Sequence, residues 1–360
     1  MHQYIKHRFS TYTVMILDRL NIKFKHVCAA HLLTALTILL AGCDSLVYDD
    51  SDCVTSCNEI RLVYDHNMKF ADAFDSEVEH VSLLIFDTAT GLLAQRYDVD
   101  ESELSENNGI EVVIDPGQYE LLVWAGRHTD SFEIARGTDG QSRIEDFHCK
   151  MNRQDGGHIN DDLARLYHGT LTIDADYSKP SDPNIHTVYL KKDTNVIRVV
   201  LQHLSGERID CDDFDFKITD NNGWMNHDNT LRDDELLQYH PWYLYSGYVD
   251  INTNPNESTE TRSGYAAALA EFTTGRLIWG NNPTLTITDK KEGKTVMSIN
   301  INDYAMLVKG FYHQQMSEQE YLDRQDEYNM TFFLDEHNRW INTVIIINDW
   351  RIIRYEGPVE

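Results

Sequence analysis

The stretch IEVVIDPGQYELLVW, from Ile110 to Trp124, indicates the fold class of this sequence. Hydrophobic side chains recur on both sides of a central Asp115-Pro116-Gly117 turn. Proline presets the backbone φ of such a turn and glycine accepts a positive φ, while short alternating runs are typical of half-buried strands. We therefore predict a β-hairpin here, with the inward faces of its two strands in a hydrophobic core.

A second hairpin precedes the first. Val81 to Phe86 forms one strand, residues 87–91 the turn, and Leu92 to Tyr97 the returning strand. Turn residues separate further strand candidates at even spacing, which favours β-sandwiches. These candidates are Gly169 to Asp174, His186 to Leu190, Asn195 to Leu201, Glu271 to Trp279, Thr284 to Thr288, Thr295 to Ile299, Met330 to Leu334 and Thr343 to Ile347. The sequence predicts an all-β protein with two tandem sandwiches.

Helical signals are few. Asp161 to Tyr167 and Asp303 to Tyr312 predict helices of two and three turns. Ser317 is followed three residues later by Glu320, a capping box that predicts a helix ending near Glu327. The fold class is therefore all-β with a few short helices.

Size and charge exclude one class of partner. The 360 residues, 41% of them hydrophobic, are enough for two domains with their own cores. Only 31 basic residues stand against 59 acidic ones, for a net charge of -28. Nucleic-acid binding needs a basic surplus, and an anionic membrane surface repels such a chain. We predict no nucleic-acid partner.

The first 42 residues have the composition of a signal peptide. A basic segment is followed by an apolar run from Val27 to Ala41, which is short for a membrane span. The run ends in Leu40-Ala41-Gly42-Cys43, which resembles the lipobox of bacterial lipoproteins. We predict a lipoprotein signal over residues 1–42, cleavage between Gly42 and Cys43, and lipidation of Cys43. The alternatives are an ordinary secretory signal and an uncleaved helix.

The predicted lipid would anchor this acidic protein to a membrane whose anionic surface repels it. Two or three acyl chains anchor a protein stably, whereas one is marginal. Residues 43–57 are rich in Asp and Ser and predict an acidic tether. We place the N-terminal sandwich at residues 58–192 and the C-terminal sandwich at residues 193–360, with the boundary at the Lys191–Thr194 stretch. The predicted location is the outer membrane, lipid-anchored and facing the cell surface.

Four cysteines remain as possible disulfide partners in an oxidising compartment: Cys53, Cys57, Cys149 and Cys211. Four cysteines allow three pairings, and the sequence does not choose among them. A local Cys53–Cys57 disulfide and free thiols are the two alternatives. No second Cys/His pair follows at zinc-like spacing, so we assign no metal and no cofactor.

Several segments together resemble the FimB-type fimbrial anchor and tip lipoproteins, a family of fimbrillin-like surface lipoproteins of gut and oral anaerobes. Beside the lipobox, these segments are LVYDHNMKFADAFDSEVEHVSLLIFD from Leu62, DPGQYELLVWAG from Asp115, VYLKKDTNVIRVVL from Val188, EQEYLDRQDEYNMTFFLD from Glu318 and VIIINDWRIIR from Val344. The resemblance implies two transthyretin-like β-sandwiches, fimbrial subunits of the same family as partners, and a role in tethering or terminating a surface fimbria.

The resemblance also implies a mechanism, strand complementation, in which a segment of one subunit fills an open sheet edge of the next. Polymerising members lose their first strand by cleavage after an arginine, whereas an anchor keeps it. Ile60 to Tyr64 is the candidate first strand, and we expect no cleavage at Arg61 within it. Thr343 to Tyr355 is either a donor or groove-lining strand, or an ordinary core strand.

The sequence bears on three other functions: catalysis, calcium binding and saccharide binding. The sequence lacks the G-x-S-x-G, H-E-x-x-H and phosphate-loop motifs, and we predict no enzyme. The acidic groups at residues 212–215 and 233–235 lack the calcium-loop pattern and predict solvated surface. The aromatic segment His240 to Tyr248 supports the alternative function, a surface lipoprotein that binds a glycan or host ligand, although half of its rings would be core at strand spacing.

Overall fold

Short β-strands dominate the protein in the computed structural model, which describes residues 56–127, 131–250, 264–310, 313–348 and 350–353. Outside these residues lie the predicted signal peptide, its Gly42–Cys43 cleavage site and Cys53. The described part is mostly β with a few short helices, so the predicted fold class is confirmed.

The first ten strands, in chain order, are β1 (Ser56–Val63), β2 (His80–Asp87), β3 (Leu92–Asp100), β4 (Gly109–Ile114), β5 (Gly117–Gly126), β6 (Phe132–Ile134), β7 (His148–Met151), β8 (His158–Ile159), β9 (Leu166–Ala175) and β10 (Asn184–Tyr189). The later strands are β11 (Lys191–Lys192), β12 (Thr194–His203), β13 (Phe214–Asp220), β14 (Trp224–Asn226), β15 (Leu237–Tyr239), β16 (Tyr243–Asp250), β17 (Gly264–Gly275), β18 (Thr284–Asp289), β19 (Lys294–Asn300), β20 (Glu327–Leu334), β21 (Trp340–Ile347) and β22 (Trp350–Ile353). The α-helices are α1 (Phe74–Glu77), α2 (Ile301–Met306) and α3 (Glu318–Arg324).

The first sandwich packs a three-stranded sheet, β10-β1-β4, against a five-stranded sheet, β11-β9-β5-β2-β3. Alternate residues of both sheets meet in one core, among them Ile60 and Leu62 from β1 and Val81, Leu83 and Ile85 from β2. This alternation is the period of two that the sequence shows, with one face of each strand turned inward.

The two hairpin predictions have different outcomes. Strands β2 and β3 pair antiparallel, as predicted. Strands β4 and β5 do not form a hairpin, because β4 pairs with β1 and β5 pairs with β2 and β9. The Asp115-Pro116-Gly117 turn instead carries the chain from one sheet to the other. Both strands keep their inward residues in the same core, so burial is satisfied without pairing between them.

A third layer covers the outer face of the five-stranded sheet. The small sheet β14-β7-β6 packs over it, and the two share a core that includes Leu84, Phe86, Trp124, Cys149 and Met225. Strand β14 comes from the second half of the chain and pairs with β7 from the first half. Layers of the two halves are therefore interleaved.

The second sandwich packs a six-stranded sheet, β16-β17-β12-β20-β21-β22, against a five-stranded sheet, β19-β18-β13-β15-β8. Strand β8 lies early in the chain yet pairs parallel with β15, and Met151 and Leu163 join the second core. Strand β11 belongs to the first sandwich and β12 to the second. We keep 58–192 and 193–360 as the proposed division, with the segment around β8 crossing it.

The helix predictions succeed only in part. The helix over Asp161 to Tyr167 is wrong, because Leu166 and Tyr167 begin β9 and pair with β5. Helix α2 starts two residues before the predicted Asp303, with the Asn300 side chain accepting a hydrogen bond from the backbone N–H of Asn302. Helix α3 starts after Ser317 as predicted, but it ends at Arg324 because Glu327 opens β20.

Candidate assembly interface

Strand β1 is an interior strand of its sheet. It pairs parallel with β10 and antiparallel with β4, so both edges of its backbone are occupied. Ile60 and Leu62 are fully buried in the core, while Glu59 and Arg61 lie on the opposite face. The candidate first strand is thus confirmed as a strand, and it is longer than the predicted Ile60–Tyr64.

The beginning of β1 is held by a buried polar cluster. The backbone N–H of Cys57 donates to Ser178 Oγ at 2.8 Å, and that hydroxyl donates to the carbonyl oxygen of Cys57 at 2.6 Å. The Asn58 side chain donates to Ser56 and approaches His186 Nε2 at 3.0 Å. Ser56 and Asn58 are almost fully buried. Each buried polar group of this cluster has a hydrogen-bond partner. A shift of β1 along the sheet would break these bonds, so they fix its register.

The end of β1 runs into a loop that helix α3 contacts. Arg324 of α3 donates from Nη1 to the carbonyl oxygens of Asp65 at 3.3 Å and Asn67 at 3.5 Å. Its guanidinium lies 4.6 Å from the ring centroid of Phe70, within cation–π range. Glu320, one turn earlier on α3, binds Arg324 Nε at 3.0 Å and orients it. The second half of the chain thereby holds the loop that follows β1.

A buried lysine joins the two halves next to this loop. Lys192 Nζ lies 3.2 Å from Glu77 and 2.6 Å from Asp326, and its side chain is only 4% exposed. Tyr167 donates its hydroxyl to the same Glu77 oxygen at 2.7 Å. Burial raises the pKa of Glu77, but the Tyr167 and Lys192 contacts outweigh it and the pKa is lowered overall. The Tyr167 ring packs edge-on against Tyr64, which directly follows β1.

Asp193, the residue after this lysine, is fully buried beside a strong ion pair. Arg276 donates from Nε and Nη2 to the two carboxylate oxygens of Asp323, each at 2.7 Å. Asp193 Oδ1 accepts from the Asn229 side chain at 2.9 Å and lies 4.0 Å from Arg276 Nε. Burial raises the pKa of Asp193 to about 7, against the lowering effect of Arg276.

Arg61 lies where a protease cannot bind it in the folded chain. Its Cα is opposite Thr187 of β10 and Gly109 of β4. Its side chain is 33% exposed and pairs with Glu59 at 3.0 Å. Because both backbone edges are already hydrogen-bonded, cleavage here requires β1 to leave the sheet first.

The C-terminal segment Thr343 to Tyr355 divides into an interior strand and an edge strand. Within β21, Ile345 and Ile347 are fully buried, so this part is a core strand of the second sandwich. Strand β22 is the edge of the six-stranded sheet, and Trp350 on it is 62% exposed. Tyr355 lies outside the described residues.

The opposite edge of the same sheet is β16, which belongs to the predicted aromatic segment. Tyr243 and Tyr245 are 43% and 55% exposed, and their rings are nearly parallel with centroids 6.4 Å apart. Leu244 between them is also exposed. The expectation that half of these residues are core does not hold for 243–245, because an edge strand lacks a neighbour on one side.

The other predicted site residues lie apart from one another. Cys57 is on β1, Cys149 on β7 and Cys211 before β13; all three are buried and their thiols are free. Burial raises the pKa of Cys149 well above its usual value. In the described ranges, one group with possible metal-ligand spacing is found, Asp210, Cys211 and Asp212. Its two aspartates are exposed while Cys211 is buried, and it has no calcium-loop pattern, so a metal stays unassigned.

The profile of one family, the fimbrillin-A associated anchor proteins Mfa1 and Mfa2, matches residues 50–356.

The chain belongs to this family.

The resemblance seen in the sequence is therefore confirmed, and the protein is a member of a fimbrial anchor family that is associated with the cell surface and with other fimbrial subunits. No curated protein matches the chain. In the residues that the structure describes, none of the helices has the length and apolarity needed to span a bilayer.

Solved structures agree with the family assignment. A Bacteroides thetaiotaomicron VPI-5482 protein, described as a candidate polysaccharide-binding protein, shares 32% identity and a TM-score of 0.71, with 84% of this chain and 99% of that chain covered. A candidate adhesin from the same strain shares 31% identity and a TM-score of 0.72, over 84% and 98%. The fimbrial anchor protein Mfa2 from Porphyromonas gingivalis has the same fold, with a TM-score of 0.60 at 16% identity over 84% and 100%.

No local sequence pattern marks the residues that hold the segment following β1. In the sequence, Lys192 and Arg324 stand among polar neighbours, a pattern that is typical of surface charges. The one local hint was the Ser317–Glu320 cap, which positions α3 and hence Arg324. Their partners lie more than 100 residues away, so only the tertiary structure brings them together.

Proposed function

We propose that this protein is a lipid-anchored fimbrial assembly subunit that tethers or terminates a surface fimbria at the outer membrane. The observation that carries the proposal is the position of β1, paired on both edges and held at both ends. Under the proposed strand complementation, a cleft that is filled by the chain's own strand accepts no strand from a neighbour. The fimbria would then end at this subunit.

Retention of β1 also agrees with the proposed lipid. Cys43 lies 13 residues before Ser56, so cleavage after Arg61 would separate the lipid from both sandwiches. The Arg324 and Lys192 contacts oppose release of β1 and so oppose that cleavage. The edge strand β22, with its exposed Trp350, is our candidate for contact with the next subunit, because an unpaired edge offers main-chain donors and acceptors to an incoming strand.

Mass spectrometry of the mature N-terminus tests the proposal directly. We expect the chain from the outer-membrane fraction to begin at a lipidated Cys43, and Cys43→Ala to release both the protein and its fimbriae into the medium. A mature chain that begins at Leu62 in sheared fimbriae would overturn the anchor role and indicate a polymerising subunit.

Limited proteolysis tests why β1 stays. With an arginine-specific protease, the folded wild-type chain should resist cleavage after Arg61. The double variant Lys192→Ala, Arg324→Ala should be cut there faster. Equal cleavage rates in the two proteins would show that these contacts do not retain the strand.

A second candidate function is saccharide binding. It is favoured by the exposed Tyr243–Tyr245 pair on β16, and the Bacteroides thetaiotaomicron relative at 32% identity carries a matching description. Fimbriae that remain attached in a Tyr243→Ala, Tyr245→Ala strain, with loss of saccharide binding, would establish this activity beside the anchor role.

A further inference from the structure

The two exposed tyrosines of β16 form part of a continuous surface. A Cβ on Gly247 would come within 2.9 Å of the Tyr245 ring, so this ring leans along the strand over the glycine. The neighbouring Tyr243 ring is nearly parallel to it, and Trp242 follows at 5.9 Å between ring centroids. Three aromatic rings thus lie in a row at one edge of the six-stranded sheet.

A polar cavity adjoins this aromatic row. It has a volume of about 230 Å³, and Trp242 lines it together with residues from β12, β17 and β20. In the sheet register Tyr243 is opposite Glu271, Glu271 is opposite Arg198, and Arg198 is opposite Asn329. Residues directly opposite one another project from the same face, so aromatic and polar groups share one surface.

The polar groups of the cavity are paired in a way that leaves capacity for a ligand. Arg198 donates to Glu271 and, at 2.9 Å, to Asn329 Oδ1. Arg165 donates to Asp162 at 3.1 Å. A guanidinium has five N–H donors and a carboxylate about four acceptor sites, so each pair keeps free donors beside free acceptors. A sugar hydroxyl, which both donates and accepts, matches such a pair.

We propose that Trp242, Tyr243 and Tyr245, with the Arg198–Glu271 and Arg165–Asp162 pairs, form a binding site for a neutral saccharide chain. The rings contact the apolar C–H faces of successive sugar units, and the charged pairs bind their hydroxyls. This inference deepens the second candidate function, on which it rests, and is independent of the anchor role.

Charge decides between neutral and acidic saccharides. The cavity is lined by Asp162, Glu271 and Glu327 against Arg165 and Arg198, so carboxylates are in excess. The whole chain carries a formal charge of -28. A uronic acid or a sulfated sugar would be repelled both by the site and by the protein around it.

Titration of the full-length detergent-purified protein, followed by tryptophan fluorescence, tests the site. The probes are neutral hexasaccharides of glucose, mannose or galactose, with hexagalacturonate as the acidic probe. We expect at least one neutral probe to bind and hexagalacturonate to bind at least about tenfold more weakly. Tyr243→Ala and Tyr245→Ala should each weaken the neutral probe about tenfold, a typical loss for a removed aromatic contact.

Matched variants separate the site from general surface effects. Tyr189→Ala, on β10 of the first sandwich, removes a similarly exposed tyrosine that does not line the cavity and should leave affinity unchanged. Tyr245→Phe keeps the ring and should keep binding. Glu271→Gln should reduce the discrimination against hexagalacturonate.

The outcomes that overturn the inference are distinct. Binding of no probe would end the second candidate function as a whole. Preferred binding of hexagalacturonate, or wild-type affinity in Tyr243→Ala and Tyr245→Ala, would end only this site and its neutral specificity. Normal saccharide binding with loss of fimbrial attachment in those variants would assign the surface to subunit contact instead.

Discussion

Strands β1 and β16 each carry a leucine but occupy opposite positions in their sheets. Leu62 on β1 is fully buried and its strand has a neighbour on each side, whereas Leu244 on β16 is 40% exposed and its strand has a neighbour on one side. The first strand is therefore part of the fold, and the second presents side chains to solvent. Position in the sheet, more than residue type, separates a structural strand from a binding surface.

The two regions also differ in their use of charge. Around β1, Lys192 and Asp193 are buried and paired with residues of distant elements. Near β16, Glu271 is also buried, but its partner Arg198 is 45% exposed. Breaking a pair with a solvent-exposed partner is less costly than breaking a fully buried one, so mutations should affect the two regions differently.

The largest expected effect is at Lys192. Replacing it with Ala leaves the Glu77 and Asp326 carboxylates facing each other without a cation, and we expect a loss of about 3–5 kcal/mol in the free energy of unfolding. Urea denaturation measures it. The control Lys294→Ala, an exposed lysine paired with Glu292, should unfold at the wild-type midpoint. If both variants behaved alike, the buried Lys192 would not contribute more to stability than an exposed lysine.

The two leucines give the most direct comparison of the strands. Leu62→Ala leaves a cavity in the first core and should cost about 2–5 kcal/mol. Leu244→Ala removes the same atoms from an exposed edge and should cost less than about 1 kcal/mol. Denaturation of the two variants side by side provides the measurement, and equal losses would contradict the contrast between interior and edge.

Asp193 makes the interior region sensitive to pH. Its pKa is about 7 in the folded chain and near 4 when unfolded, so the folded state binds the proton more tightly. The favourable contribution of Asp193 to the free energy of unfolding is fully present below pH 4 and is lost as the pH rises to about 7. Compared with Asp193→Asn, the wild type should therefore lose about 2 kcal/mol of stability between pH 5 and pH 8. A difference that stays constant with pH would show that Asp193 is ionised throughout.

A small, local effect is expected at the loop that follows β1. Arg324→Ala removes two hydrogen bonds to backbone carbonyls and the contact with Phe70, and should cost about 1 kcal/mol. Hydrogen exchange should quicken at the end of β1 and leave β16 unchanged. Arg324→Lys keeps the charge but not the paired contacts. Its stability should lie between those of the wild type and Arg324→Ala. Faster exchange in β16 as well would indicate global rather than local loosening.

Sequence patterns predicted strands well and their partners poorly. The alternation from Ile110 to Ile114 identifies β4, but its pairing with β1 depends on residues about 50 positions earlier. The Asp115-Pro116-Gly117 turn suggested a hairpin, but the sequence around this turn does not show that β4 pairs with β1 rather than with β5. The helix prediction for Asp161 to Tyr167 was wrong for the same reason, because the pairing of Leu166 and Tyr167 with β5 overrides the local helical pattern.

Local motifs carry those parts of the candidate site that the sequence predicts. Leu40 to Cys43 predicts lipidation from four adjacent residues, which stays a prediction because these residues lie outside the described ones, and the aromatic segment around Tyr243 was visible as composition. Lys192, Asp193 and Arg324 gave no such signal, because burial of a single charge depends on partners supplied by distant elements. The exposure of both faces at residues 243–245 follows from an edge position that the sequence does not specify.

The parallel pairing of β1 with β10 has a consequence for how the chain folds. Asn58 is opposite Asn184, so more than 120 residues must be synthesised and secreted before the first strand, which can pair with β4 earlier, meets its second partner. Contacts of such long sequence separation form slowly, because the loop must close before they stabilise anything. During export, β1 would emerge early and wait, attached to the membrane if Cys43 is lipidated, while its sheet is incomplete. The strand that closes the finished protein is therefore a point of vulnerability to aggregation and proteolysis during secretion.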